Sequence, residues 1–105
     1  MMVYNKLIRD KIPQVITASG KKADIRTLDS IEYSKMLDVK LQEELDEYNN
    51  ADNADQVAEL ADLVEVVYAI LENSGVSIEE FERLRLAKLE DRGGFREKLL
   101  LVKVE

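Results

Sequence analysis

Glu43-Glu44-Leu45-Asp46-Glu47, followed after eleven residues by Glu59-Leu60-Ala61-Asp62, is the stretch that decides how this 105-residue chain is read. At about 100° per residue, Leu37, Leu41, Leu45 and Tyr48 lie within about 40° of one line and form the core stripe of a helix. Glu44 and Glu47 flank that stripe on one side, about 60° and 120° from Leu41, with Lys40 one turn back. Glu43 points the other way on the same wheel, so the spacing selects Glu44 with Glu47.

The next helix is apolar on two sides. Val57, Leu60, Val64, Val67 and Leu71 make one stripe, and Leu63, Val66 and Ile70 make a second beside it, which is the pattern of a helix in the middle of a bundle or an interface. Toward its N-terminus the second stripe is taken over by Glu59 and Asp62. A buried carboxylate is costly unless a cation accompanies it, and the segment Asn53–Asn73 contains no Lys or Arg. The positive charge must therefore come from elsewhere.

Joined by the polar turn Asn49-Asn50-Ala51-Asp52-Asn53, two antiparallel helices bring Glu44 and Glu47 opposite Glu59 and Asp62. Ligation by oxygen alone is the chemistry of Mg²⁺, Mn²⁺ or Ca²⁺. Mg²⁺ is the expected ion, with Mn²⁺ as the alternative, and it takes further ligands from substrate phosphates. Asp52-Asn53-Ala54-Asp55 lacks the glycine and the twelfth-position glutamate of a calcium loop.

Outward from this hairpin, Pro13 suits a first helical turn, and the spacing predicts a short helix from Ile12 to Ser19 that stops at Gly20. Ser30 is the expected N-cap of the long acidic helix. Asn53 with Gln56 and Ser77 with Glu80 read as capping boxes of a third and a fourth helix. These end at Asn73-Ser74-Gly75 and near Arg92-Gly93-Gly94. Ala23–Leu28 reads as a short extended piece, and Leu99-Leu100-Leu101-Val102-Lys103-Val104 as a strand or as an arm that covers a partner. There is no repeat and no linker, so residues 1–105 read as a single domain.

The composition narrows the chemistry. Hydrophobic residues make up 46% and charged residues 35% of the chain, an ordinary globular balance. With no cysteine and no histidine, thiolate zinc sites, cysteine nucleophiles and the commonest general base are all excluded. A net charge of −7 argues against nucleic acid as a partner, because gripping it requires a basic surface. No run reaches the roughly 18 apolar residues of a membrane span, and Met1–Lys6 has no leader-like apolar core. A cytoplasmic protein without membrane association is the expectation.

Taken together, the two acidic motifs resemble the E-E-x-x-E … E-x-x-D signature of the MazG-like, all-α nucleotide pyrophosphohydrolases, which include phosphoribosyl-ATP pyrophosphohydrolase. Both halves match without a substitution. The resemblance extends to Lys40, to the opening Tyr4-Asn5-Lys6-Leu7-Ile8-Arg9-Asp10-Lys11-Ile12-Pro13, and to Lys88 and Arg92-Gly93-Gly94-Phe95 near the end. It implies an all-α helical bundle completed by oligomerisation. It further implies Mg²⁺ held by Glu44, Glu47, Glu59 and Asp62, and a nucleoside triphosphate cleaved to monophosphate and pyrophosphate. Glu43, Glu44, Glu47 and Lys40 are the catalytic candidates. Glu43 stays open between a supporting role behind the ligands and one in positioning or activating water.

Arg85, Lys88 and Arg92 follow Phe81 along one line of the fourth helix, a basic seam suited to phosphate oxygens. With the cluster Tyr4, Asn5, Lys6, Arg9 and Lys11, it makes Lys6, Arg9, Lys88 and Arg92 the candidate substrate-binding residues. Tyr4, Tyr33, Tyr48, Phe81 and Phe95 are the obvious stacking candidates. Rival readings are phosphoribosyl-ATP hydrolysis in histidine synthesis, on the same scaffold, and a helical metal- or nucleotide-binding module without turnover. A chain this short cannot cover both stripes of its third helix, so a homodimer is expected, with a tetramer as the alternative.

Overall fold

The computed structural model describes residues 1–105 and contains four α-helices and no strand: α1 (Ile12–Ala18), α2 (Ser30–Asn50), α3 (Asn53–Asn73) and α4 (Ile78–Arg92). The all-α expectation holds, and each helix lies close to where the spacing places it. None is long and apolar enough to cross a membrane.

Local chemistry sets the ends. The cap of α2 is Asp29 rather than Ser30: its carboxylate accepts the Glu32 backbone N–H at 2.8 Å, and Ser30 is already helical. At α4 the expected cap forms, with Ser77 Oγ accepting from the Glu80 N–H at 3.1 Å. The capping box expected at Gln56 does not form, because its amide instead donates to the Tyr48 carbonyl at 3.2 Å and ties the start of α3 to the end of α2. At the end of α3, Gly75 takes φ +75°. There the Val76 N–H reaches the Leu71 carbonyl at 2.9 Å and the Gly75 N–H reaches Glu72 at 3.1 Å, the paired bonds that close a helix on a left-handed residue.

The dominant unit is the hairpin of α2 and α3, which pack along their length. Its far end is tied by Asn73 Nδ2 donating to Ser34 Oγ at 2.8 Å, so the helices run antiparallel. The covered side of α2 passes through Leu37, Leu41, Glu44 and Tyr48. This alternating spacing of four and three is that of a coiled-coil seam. The seam runs through Glu44 and leaves Leu45 41% exposed, which corrects the expected order of the two. On α3 the covered side is Glu59, Asp62, Leu63, Val66 and Ile70. The acid-bearing stripe is therefore the one that faces α2.

The other stripe of α3 is open over its N-terminal part, with Val57 74% and Leu60 42% exposed, and half-buried at Val67 and Leu71. Only Leu37, Val66 and Glu44 are buried in one chain. The radius of gyration is 18.0 Å, against about 13 Å for a compact domain of this length. The accessible surface is 9617 Å², against roughly 6,000 Å² for a compact monomer of this mass. Helix α4 touches α3 alone, and beyond Glu82 every one of its residues is exposed. Residues 23–27 and 99–105 adopt no regular structure and lie exposed.

Candidate metal centre

Glu44 is the centre of the acidic site. It sits on the α2 seam, 6% exposed, and its carboxylate belongs to two trios. Ligand oxygens of Glu44, Glu59 and Asp62 lie within 4.8 Å of one another, and so do those of Glu43, Glu44 and Glu47. The hairpin register creates the first trio by setting Glu44 against residues one turn apart on α3. Helix spacing creates the second.

Glu43 is therefore not turned away from the site, as its wheel position suggested. Its backbone does project about 100° from that of Glu44, but a glutamate carries its carboxylate on three rotatable bonds, and cations draw it back. Lys40 Nζ lies 3.3 Å from Glu43 Oε1 and 3.4 Å from Glu44 Oε1, and Lys6 Nζ reaches Glu43 Oε1 at 3.4 Å. The wheel gave the direction of the backbone and could not give the reach of the side chain.

The positive charge missing from α3 arrives from the N-terminal arm. Arg9 Nη2 donates to Asp62 Oδ1 at 2.6 Å. Before it, Asn5 adopts φ +46°, a left-handed turn that asparagine tolerates better than most residues. Leu7 and Ile8 are half-buried, while the recorded ties of the arm to the hairpin are the ion pairs of Lys6 and Arg9. Which carboxylates Lys6 and Arg9 meet was unreadable from the sequence, since the partners lie 37 and 53 residues away.

These cations leave the site partly unsatisfied. Glu44 Oε2 and Glu59 Oε2 are buried and have no hydrogen-bond partner, a costly condition for two carboxylate oxygens. Burial raises the Glu44 carboxyl above the usual glutamate range, and the charge of Glu47 adds to the shift, while Lys40 opposes it. Converging oxygen donors, two of them orphaned, fit a hard divalent cation. Beside them, an open groove of about 450 Å³ runs along the α2–α3 turn between Glu47, Asn50, Asp52, Asp55 and Glu59.

Lys88 and Arg92 are not brought to the acids within one chain. Both are exposed on the free end of α4, and the ion pair of Arg92 is with Asp91, at 3.9 Å. Arg85 is engaged by Glu82. Tyr33 and Tyr48 are half-buried, whereas Phe95 stands fully exposed beside Gly94.

Comparison with known proteins shows the family. The model of the family "Phosphoribosyl-ATP pyrophosphohydrolase" matches residues 5–88, a span that holds both acidic motifs, Lys40, the arm cations and Lys88. The chain belongs to this family. Membership places it in the MazG-like all-α superfamily, as the motifs implied. An uncharacterized protein of Mycolicibacterium smegmatis is 50% identical over 46 residues, which are 44% of this chain and 47% of that protein. The chain thus matches about half the length of this curated relative. No solved structure matches.

Proposed function

We propose that this member of the phosphoribosyl-ATP pyrophosphohydrolase family is a Mg²⁺-dependent nucleotide pyrophosphohydrolase that cleaves a nucleoside triphosphate to monophosphate and pyrophosphate. The observation that carries the reading is the buried Glu44 carboxylate, shared between two trios, with an oxygen that no protein group satisfies. Glu44, Glu47, Glu59 and Asp62 would hold the ion. A divalent cation held by these residues would supply neutralisation of charge on the phosphate chain and activation of water. Mn²⁺ has the same preference for oxygen donors.

The chain's own groups divide the remaining work. Lys40 keeps Glu43 and Glu44 oriented, and Glu43, free of the α3 trio, is placed to orient water. Lys6 and Arg9 carry donors for phosphate oxygens. Lys88 and Arg92 complete the pocket from a second copy, because α4 of the same chain points away. The open stripe of α3 and the excess surface of one chain support a homodimer, with a dimer of dimers as the larger form. A cytoplasmic setting apart from membranes belongs to the same proposal, and the net charge of −7 speaks against nucleic acid as a partner.

The second reading, hydrolysis of phosphoribosyl-ATP, is favoured by the family match itself. One panel separates the readings: pyrophosphate release with Mg²⁺ from standard, deoxy and damaged nucleoside triphosphates and from phosphoribosyl-ATP. Turnover of a triphosphate supports the first reading, and turnover of phosphoribosyl-ATP alone supports the second. Inactivity on all of them with metal bound would leave a binding module.

A further inference from the structure

The pairing of Arg9 with Asp62 has a role beyond tying down the arm. Asp62 belongs to the α3-bridging trio, and Arg9 is its ion-pair partner, at 2.6 Å. Both side chains are about half exposed. An ion pair of that kind is weak and readily exchanged. A divalent cation at the trio would compete for the Asp62 oxygen with twice the charge. The released guanidinium stays close, because Lys6, three residues before it, remains paired with Glu43. Its fork of N–H donors then borders the place where phosphate oxygens complete the shell of the ion.

Resting on the metal site proposed above, we propose that Arg9 is an exchanging residue: the counter-ion of Asp62 in the metal-free protein, and a phosphate-binding residue once metal has displaced it. Metal and arm compete for one carboxylate, whereas metal and phosphate cooperate through Arg9. The order of binding follows, with metal before or together with the phosphate chain. Lys6, at 3.4 Å from Glu43, is the weaker second contact that keeps the arm over the site during the exchange.

The test uses the full chain, Mn²⁺ followed by electron paramagnetic resonance, and inorganic pyrophosphate as the phosphate probe, with no turnover involved. Arg9→Ala should bind Mn²⁺ about two- to five-fold tighter than the wild type, the range expected on removing an exposed ionic competitor. The same variant should bind pyrophosphate more weakly in the presence of metal. Arg9→Lys should keep the wild-type Mn²⁺ affinity and still bind pyrophosphate more weakly, because the ammonium lacks the planar fork. If the wild type binds Mn²⁺ and Arg9→Ala leaves that affinity unchanged or lowers it, the exchange is refuted and the metal site stands. If neither protein binds Mn²⁺, the exchange and the metal site fall together.

Discussion

Lys40 Nζ lies 3.4 Å from Glu44 Oε1, one turn apart on α2, while the other oxygen of Glu44 faces the hairpin without a partner. The lysine therefore satisfies half of a buried carboxylate, and burial outweighs its charge, so the Glu44 carboxyl lies above the usual glutamate range.

A pH dependence follows for the metal-free protein. A carboxyl whose folded pKa is raised holds its proton where the unfolded chain has lost it. Stability is then greatest at and below the unfolded value and declines as pH rises through the folded one. In chelator, Glu44→Gln should gain on the wild type in Tm as pH is raised from about 4 to 8. A constant difference across that range would mean that Glu44 does not titrate in this way.

Divalent metal should reverse that loss. Binding to the folded chain alone stabilises it by about 2.7 kcal/mol at one hundred times Kd, and thermal melts with Mg²⁺ should show the increase. Glu59→Gln and Asp62→Asn should keep the fold, lose the Mg²⁺-dependent rise and abolish pyrophosphate release. Normal turnover by Asp62→Asn would break the four-carboxylate arrangement.

The open stripe of α3 makes a separate prediction. Leu60→Asp or Val57→Asp places a charge on the exposed apolar positions of this stripe, and burying an unpaired charge is strongly unfavourable. Sedimentation should show the wild type as a dimer or larger and the variants shifted toward monomer. Unchanged sedimentation would place the interface elsewhere.

Helix entry gives the simplest check. Asp29→Ala should cost about 1 kcal/mol in denaturant unfolding, as loss of an N-cap does, and Ser30→Ala should cost much less, because Ser30 is already helical.

Legibility in the sequence followed the range of each interaction. Helix limits rest on neighbours within a turn, so Pro13, Ser77, Gly75 and Gly93 could be read directly. The exceptions were also local. Asp29 and Ser30 are both good caps one residue apart, and Gln56 found a better acceptor across the turn. Glu59 and Asp62 stood out because they interrupt an apolar stripe. Glu44 was legible as an acid beside the core stripe but not as part of the seam, since a wheel at 3.6 residues per turn drifts from the 3.5 spacing of packed helices. The partners of Lys6 and Arg9 depend on how an arm folds back across tens of residues, which no periodicity records.

The near absence of buried side chains in one chain also bears on how the protein behaves in dilute solution. If most of its apolar surface is covered only by another copy, folding and association are one equilibrium, and protein concentration becomes a variable of stability. The melting temperature should then climb with concentration. Specific activity, measured at the nanomolar levels usual for enzymes, should fall on dilution and recover when the protein is concentrated again.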